Sequence, residues 1–160
     1  MSEKNPFRVF VSHAFSESDD YLRVFEFLES VDRFFYLNTS KPENVPQEGT
    51  VEALKDELIN QIKAAEVVII VCDVWQQNEN LGEYMLDVAE ANDIKALAIQ
   101  PFGGIAETPD ALAARVVDTL AWNERTIADA IQLQARGTDT QRWDVVDFPG
   151  YTADGPIEDN

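Results

Sequence analysis

The sequence contains very little cysteine and histidine, with one residue of each among its 160. A single cysteine, Cys72, excludes an internal disulfide framework. One histidine and one cysteine cannot supply the usual ligands of a zinc site, so we predict no metal site. At this length the chain can bury a hydrophobic core of its own, and we expect one folded domain.

Basic residues are also scarce. Twelve Lys and Arg accompany 30 Asp and Glu, which gives a formal net charge of -18 and a sequence pI near 4.1. Such a chain repels phosphate backbones and anionic lipid headgroups, so we expect neither nucleic-acid nor membrane partners. Residues 136–160 hold only -4 of this charge. The remainder is spread over the folded part, which favours adaptation of the whole surface to a salt-rich cytoplasm.

Long apolar runs and glycine-rich motifs are missing. The start MSEKNPFRVF has no apolar signal core, and no run approaches the ~20 apolar residues of a membrane span. We therefore predict a cytoplasmic protein. The segment SHAFSESDD matches neither G-x-G-x-x-G nor a P-loop. This absence disfavours a dinucleotide site of the Rossmann type, which anchors phosphate on glycine-rich backbone.

The apolar pattern predicts strands that alternate with helices. Unbroken or β-branched apolar runs predict strands at 7–12, 33–38, 67–72, 95–100 and 119–122. The run VVIIVC, with no polar alternation, is typical of a strand that is buried on both faces of a sheet. Apolar residues at helical spacing predict the helices, with Thr50 and Asn123 as N-caps and Pro109 at a first helical position.

This alternation predicts an α/β fold with a five-stranded parallel sheet, because parallel neighbours need crossover connections. The expected form is flavodoxin-like, with strand order 2-1-3-4-5 and helices on both faces. We assign residues 1–136 to this domain and 137–160 to an acidic tail that is loose or packed on the domain. A ligand is expected at the carboxyl ends of the first and third strands, where the strand order reverses.

Polar and aromatic residues follow both of those strands. Ser12, His13 and Phe15 follow the first strand, and Asp73 and Trp75 follow the third. Neighbouring Ser and His side chains point in different directions, so they do not form a nucleophile and base pair. They either bond nearby backbone or contact a ligand. The tryptophan either closes the core or stacks on a planar ring.

A third group is acidic. Glu83, Asp87 and Glu90 have the spacing i, i+4, i+7 on a predicted helix, and Glu79 precedes them. In a chain with this much acid, such a stripe is typical of the solvated face of an amphipathic helix. It is therefore weak evidence for a catalytic carboxylate on its own.

Several segments together resemble the prokaryotic TIR-like family, which includes the Thoeris antiphage-defence TIR-like proteins. They are FRVFVSHAF with the following DD, AAEVVIIVCDVW, EYMLDVAEAN followed by KALAIQPFG, and LAWNERTIADAI. The resemblance covers about residues 7–133. It implies a flavodoxin-like fold and a role in antiviral defence signalling. It also implies an NAD glycohydrolase or ADP-ribose cyclase activity, with NAD as substrate rather than cofactor.

The resemblance places the catalytic residue at the start of the third main helix, as the glutamate of a W-x-x-x-E arrangement. Aligned on Ala89, this chain has Leu81 at the tryptophan position and Met85 at the glutamate position. A carboxylate there stabilises the oxocarbenium-like charge that forms as nicotinamide leaves, and a thioether does not. Either the chain is catalytically silent, or a neighbouring carboxylate takes the catalytic role, with Glu83 as the first choice and Asp87 as the second.

The other site residues carry over from the resemblance without such a departure. Ser12, His13 and Phe15 match the first loop of the family, and Trp75 matches the region that covers the base or ribose. With Asp73 and Met85, they form the expected binding site for NAD or a related nucleotide.

Three functions remain open. The first is an NAD-consuming enzyme. The second is a catalytically silent module whose partner is a nucleotide, an effector protein or a second copy of the chain, and the third is a nucleoside deoxyribosyltransferase-like enzyme. The last needs a nucleophile among Asp73, Glu79 and Glu83.

Overall fold

The five predicted strands form one parallel sheet. The computed structural model describes residues 4–103 and 106–137, and its strand order is β2-β1-β3-β4-β5. All four neighbouring pairs are parallel. The flavodoxin-like α/β arrangement is therefore confirmed. The strands are Phe7–Val11 (β1), Tyr36–Asn38 (β2), Val67–Val71 (β3), Lys95–Ile99 (β4) and Asp118–Leu120 (β5).

Helices fill the connections between the strands and follow the last one. They are Asp19–Glu29 (α1), Val51–Lys63 (α2), Cys72–Gln77 (α3), Glu79–Ala91 (α4), Asp110–Ala113 (α5) and Glu124–Arg136 (α6). Ser18, Thr50 and Asn123 are the N-caps of α1, α2 and α6, and each side chain accepts a backbone N–H of the first turn. The two N-caps predicted from the sequence are thus confirmed.

The sheet is buried between two helical layers. Helix α1 contacts α6, and α2 contacts α4, as right-handed crossovers on opposite faces of the sheet require. All five residues of β3 are fully buried, which confirms the meaning of the unbroken run VVIIV. The two ends of the sheet are formed by the strand termini and the loops next to them. We call these the carboxyl edge and the amino edge, after the strand ends that form them.

Three local expectations were wrong. The six-residue helix α3 was not predicted, since it has no side-chain N-cap and is too short for helical periodicity to be visible. Strand β2 begins only at Tyr36, because Arg33 has a φ of 60° and interrupts the extended backbone before it. Pro109 is the N-cap of α5 rather than its first residue. Except for Gly137, the tail 137–160 lies outside the described residues.

An ion-pair cluster fastens the end of α6 to the amino edge. The Arg136 guanidinium donates to both carboxylate oxygens of Glu66, at 2.8 and 2.9 Å, and to the backbone carbonyls of Asn5 and Pro6. The backbone N–H of Arg8 also donates to Glu66, at 2.9 Å. This carboxylate therefore joins the first strand, the third strand and the last helix. None of the described helices has both the length and the apolar character needed to cross a membrane.

Candidate functional site

The candidate site is the carboxyl edge between β1 and β3. Strand β1 pairs with both β2 and β3, and the chain leaves β1 and β3 towards different helices, so a crevice is expected here. Ser12, His13 and Phe15 lie on the loop that follows β1, while Asp73 is the second residue of α3, which follows β3. The structure thus brings these four predicted residues to one edge.

Ser12 is fully buried and its hydroxyl is already bonded. Its backbone N–H donates to the carbonyl of Ile69 at 2.8 Å, and its Oγ accepts the N–H of Val71 at 3.0 Å. The side chain therefore extends the pairing of β1 with β3 by one more bond. This is the backbone-bonding role that the sequence left open.

His13 is fully buried, and both ring nitrogens are bonded. Nδ1 accepts the backbone N–H of Phe15 at 3.0 Å, so Nδ1 carries no proton. Nε2 lies 2.8 Å from the side-chain oxygen of Gln61 and donates to it. Burial lowers the pKa of His13, against the smaller opposing effects of the Gln61 hydrogen bond and the Glu43 and Glu57 carboxylates. The imidazole is therefore neutral at pH 7.

The orientation of the Gln61 amide is set by the connection between β2 and α2. Its oxygen accepts the backbone N–H of Lys41 at 2.8 Å, and its nitrogen donates to the carbonyl of Lys41 at 3.1 Å and to the Glu57 carboxylate at 2.9 Å. Sequence reasoning missed this glutamine. The available signal was a polar residue within the apolar stripe of α2, one position before the buried Ile62.

Phe15 has a left-handed backbone, with a φ of 64°. This conformation is uncommon for a bulky residue and is retained only where surrounding contacts hold it. The Phe15 ring packs edge-on against the His13 ring, at 5.1 Å between centroids. The residue also lines an open cavity of about 290 Å³, which we call the loop cavity; its lining is Phe15, Ser16, Glu17, Pro42 and Glu43.

Asp73 fastens the other end of the loop. Its carboxylate accepts the Ser18 hydroxyl at 3.0 Å and the backbone N–H of Asp20 at 3.1 Å. Burial and the charge of Asp73 raise the pKa of Asp20, whose carboxylate is paired with Arg23. Both oxygens of Asp73 are thus used to position the start of α1.

Trp75 is almost fully buried, with 2% of its surface exposed. Its ring lies directly against the backbone of α4 at Gly82, where an added Cβ would be 2.6 Å from Cε3. The structure therefore places this tryptophan in the core between α3 and α4. Cys72, three residues before Trp75, is also buried, and burial raises the pKa of its thiol to about 11, which leaves no reactive thiolate at neutral pH.

The positions that the resemblance assigns to catalysis lie on α4. Met85 is completely buried, whereas Glu83 is half-buried and its side chain makes no hydrogen bond or ion pair within the described part of the chain. Asp87 is exposed and pairs with Arg115 at 2.8 Å, in the connection between α5 and β5. Near the start of the helix, the Glu79 and Glu83 carboxylates are both unengaged within the described residues, and of the two only Glu83 is half-buried.

The charge of the loop cavity is negative. Glu17 and Glu43 are exposed on its lining, and neither is paired with a Lys or Arg among residues 4–103 and 106–137. The described residues also contain no group of three His, Cys, Asp or Glu that could hold a metal ion. Comparison with known proteins finds no family whose profile matches the chain, and no curated protein with significant similarity to it.

Proposed function

We propose that this chain is a TIR-like module of prokaryotic antiviral defence signalling that acts by binding a protein partner and does not hydrolyse NAD. The assignment to the TIR-like class is supported by the sequence resemblance and by the parallel sheet of order 2-1-3-4-5. The silent character is supported by the side chains at the carboxyl edge.

Met85 is the observation that carries the proposal. At the position where the resemblance requires a glutamate, the side chain is a thioether with no exposed surface. Cleavage of the nicotinamide–ribose bond develops positive charge on the ribose, and a buried apolar side chain cannot stabilise it. The change from glutamate to methionine therefore removes the chemical group and also makes its place part of the core.

The remaining polar side chains of the edge are committed to the fold. The Ser12 hydroxyl accepts a strand N–H, and the Asp73 carboxylate accepts two donors of the loop. Breaking either contact to bind substrate would leave a buried backbone N–H or the helix start without its partner, at a cost of about 1–3 kcal/mol. These groups position the loop more readily than they bind a ribose.

The loop cavity favours a basic protein surface over a dinucleotide. Glu17 and Glu43 repel the pyrophosphate of NAD and attract a lysine or arginine side chain. The Phe15 ring, half-buried in the same lining, offers an apolar surface beside these carboxylates. A partner that presents a basic side chain fits this chemistry.

Glu83 supports a second candidate, an NAD-consuming enzyme. Glu83 and Asp87 are equally close to Met85 in sequence, but Asp87 is paired with Arg115, whereas the Glu83 side chain is free of ion pairs and hydrogen bonds within the described residues. Two residues on a helix differ by about 200° in direction, so Glu83 does not point where the residue at position 85 points. A catalytic role requires the pocket to form on a different side of α4.

The two candidates are separated by incubating the purified full chain with NAD, at low and at high KCl, and following nicotinamide release. We expect no release above the rate without protein, and no heat of NAD binding by calorimetry. If nicotinamide is released and Glu83→Gln abolishes the release while the exposed Glu79→Gln does not, the enzyme is the correct assignment. Nicotinamide release that persists in the Glu83→Gln variant would contradict both the silent module and an enzyme that uses Glu83.

A further inference from the structure

The loop between β1 and α1 is fastened at two points. At the first, His13 Nδ1 accepts the N–H of Phe15 at 3.0 Å. At the second, Asp73 accepts the Ser18 hydroxyl and the N–H of Asp20. The four residues between these fastenings, 14–17, include three that line the loop cavity. The position of this turn therefore decides the shape of the cavity.

The protonation state of the His13 ring, which makes the first fastening, follows from the hydrogen bonds around it. Gln61 must point its amide oxygen at the N–H of Lys41, because its nitrogen donates to the carbonyl of the same residue. That oxygen is then an acceptor for His13 Nε2, which carries the proton. Nδ1 is left as the acceptor for Phe15. Both bonds are satisfied only in the neutral Nε2–H form.

A second proton can be added only at Nδ1. The ring would then point an N–H at the N–H of Phe15, and the bond that holds the left-handed φ of 64° would become a contact between two donors. A residue in that region returns to ordinary backbone angles once its restraints are removed. The released segment is confined to 14–17, since Asp73 continues to hold Ser18.

Several groups face the imidazole. From α1, the Tyr21 ring packs edge-on at 6.3 Å between centroids, and its hydroxyl is within hydrogen-bond distance of Ser40. From α2 and from the connection before it, the carboxylates of Glu57 and Glu43 favour the charged ring, but burial outweighs them and lowers the pKa of His13. Protonation is therefore expected only below the ordinary value of 6.5.

We propose that His13 is an acid-sensitive latch: its neutral ring holds the turn 14–17 and the loop cavity in shape, and protonation at Nδ1 releases the turn. The opposite wall of the cavity is tied to the same ring, because Gln61 joins His13 to Lys41, the neighbour of Pro42. The latch concerns the shape of the cavity whatever the cavity binds, so its test stands apart from that of the proposed function.

The test uses the fact that the chain has one histidine, so its ring nitrogens give one unambiguous set of NMR signals. At pH 8 we expect the Nε2–H tautomer. As the pH falls, we expect the chemical shift of the Phe15 amide to change with the same midpoint as the signals of the ring. The protection of this amide against hydrogen exchange should fall roughly tenfold. The Tyr21 amide, which donates to Ser18 Oγ at 3.1 Å, is the internal control and should stay protected.

Two substitutions distinguish the roles of the two ring nitrogens of His13. His13→Asn keeps an acceptor near Nδ1, so the Phe15 amide should stay protected at every pH at which the chain is folded. His13→Gln keeps a donor near Nε2 but no acceptor for Phe15, so protection should be low even at pH 8.

The proposal is overturned if the ring is the Nδ1–H tautomer at pH 8, or if the signal and exchange rate of the Phe15 amide do not change as the ring titrates. It is also overturned if the ring is protonated only when circular dichroism shows global unfolding. The wild-type spectra decide the matter if neither variant folds.

Discussion

Gly82 is the fourth residue of α4 and packs directly against the Trp75 ring, and the substitution Gly82→Ala tests whether this contact requires glycine. In an ordinary helix, alanine is more stable than glycine by about 1 kcal/mol. Here an added Cβ lies 2.6 Å from Cε3 and 3.1 Å from Cζ3 of the indole, and the ring is 98% buried. Something in the packed core must therefore move to admit the methyl group.

The size of the effect follows from these two opposing contributions. Adding a methyl group to a well-packed core costs about 1–3 kcal/mol, which exceeds the gain in helix propensity. We expect Gly82→Ala to lower the free energy of unfolding by about 1 kcal/mol, measured by urea denaturation with far-ultraviolet circular dichroism. A more stable variant would refute the close approach of ring and helix.

A double-mutant cycle provides the control. Trp75→Phe removes the indole atoms that meet the new Cβ, so Gly82→Ala in that background should stabilise the chain by up to about 1 kcal/mol. A sign change between the two backgrounds identifies the clash as the cause. If the alanine has the same effect in both, the indole is not what requires glycine at this position.

Two further predictions concern charge. Burial raises the pKa of Glu66, but the bonds and charges of Arg136 and Arg8 outweigh it and hold the pKa below its ordinary 4.5. The contribution of the Glu66 carboxylate to the free energy of unfolding is therefore fully present above pH 4.5 and is lost as the pH falls below it. Glu66→Gln should lower the free energy of unfolding by about 1–3 kcal/mol at pH 7 and by much less at pH 3, with exposed Glu52→Gln as control. An equal loss at both pH values would contradict this. Raising KCl from about 0.1 to 1 M, which shortens the Debye length from about 10 to 3 Å, should raise the melting temperature, because the net charge is -18. A fall would mean that the ion pairs outweigh the general repulsion.

The sheet could be predicted because its signals are local. The run 67–71 has no polar residue, and Thr50 and Asn123 stand directly before apolar periodicity, so strand and helix starts are visible in short windows. Helix α3 was invisible for the opposite reason. It has only six residues and follows β3 without a break, so Cys72 was read as the last residue of the strand.

The site was predictable in position but not in its bonds. The alternation of strands and helices places Ser12, His13 and Asp73 at one edge without any knowledge of side chains. The bond between His13 and Gln61 joins residues 48 positions apart, and no pattern within either segment announces it. The burial of Trp75 depends likewise on a glycine in a later helix, which sequence spacing does not reveal.

The Arg136 contacts determine how this domain can be attached to something else. Since that arginine bonds Asn5 and Pro6, the chain enters and leaves the described domain at neighbouring points. Both points lie at the amino edge, whereas His13 and the loop cavity lie at the carboxyl edge. A fluorescent label, a surface tether or a fused protein joined near Asn5 or Gly137 therefore starts about one strand length from the candidate site. Binding measured on such a chain therefore keeps the point of attachment itself away from the carboxyl edge.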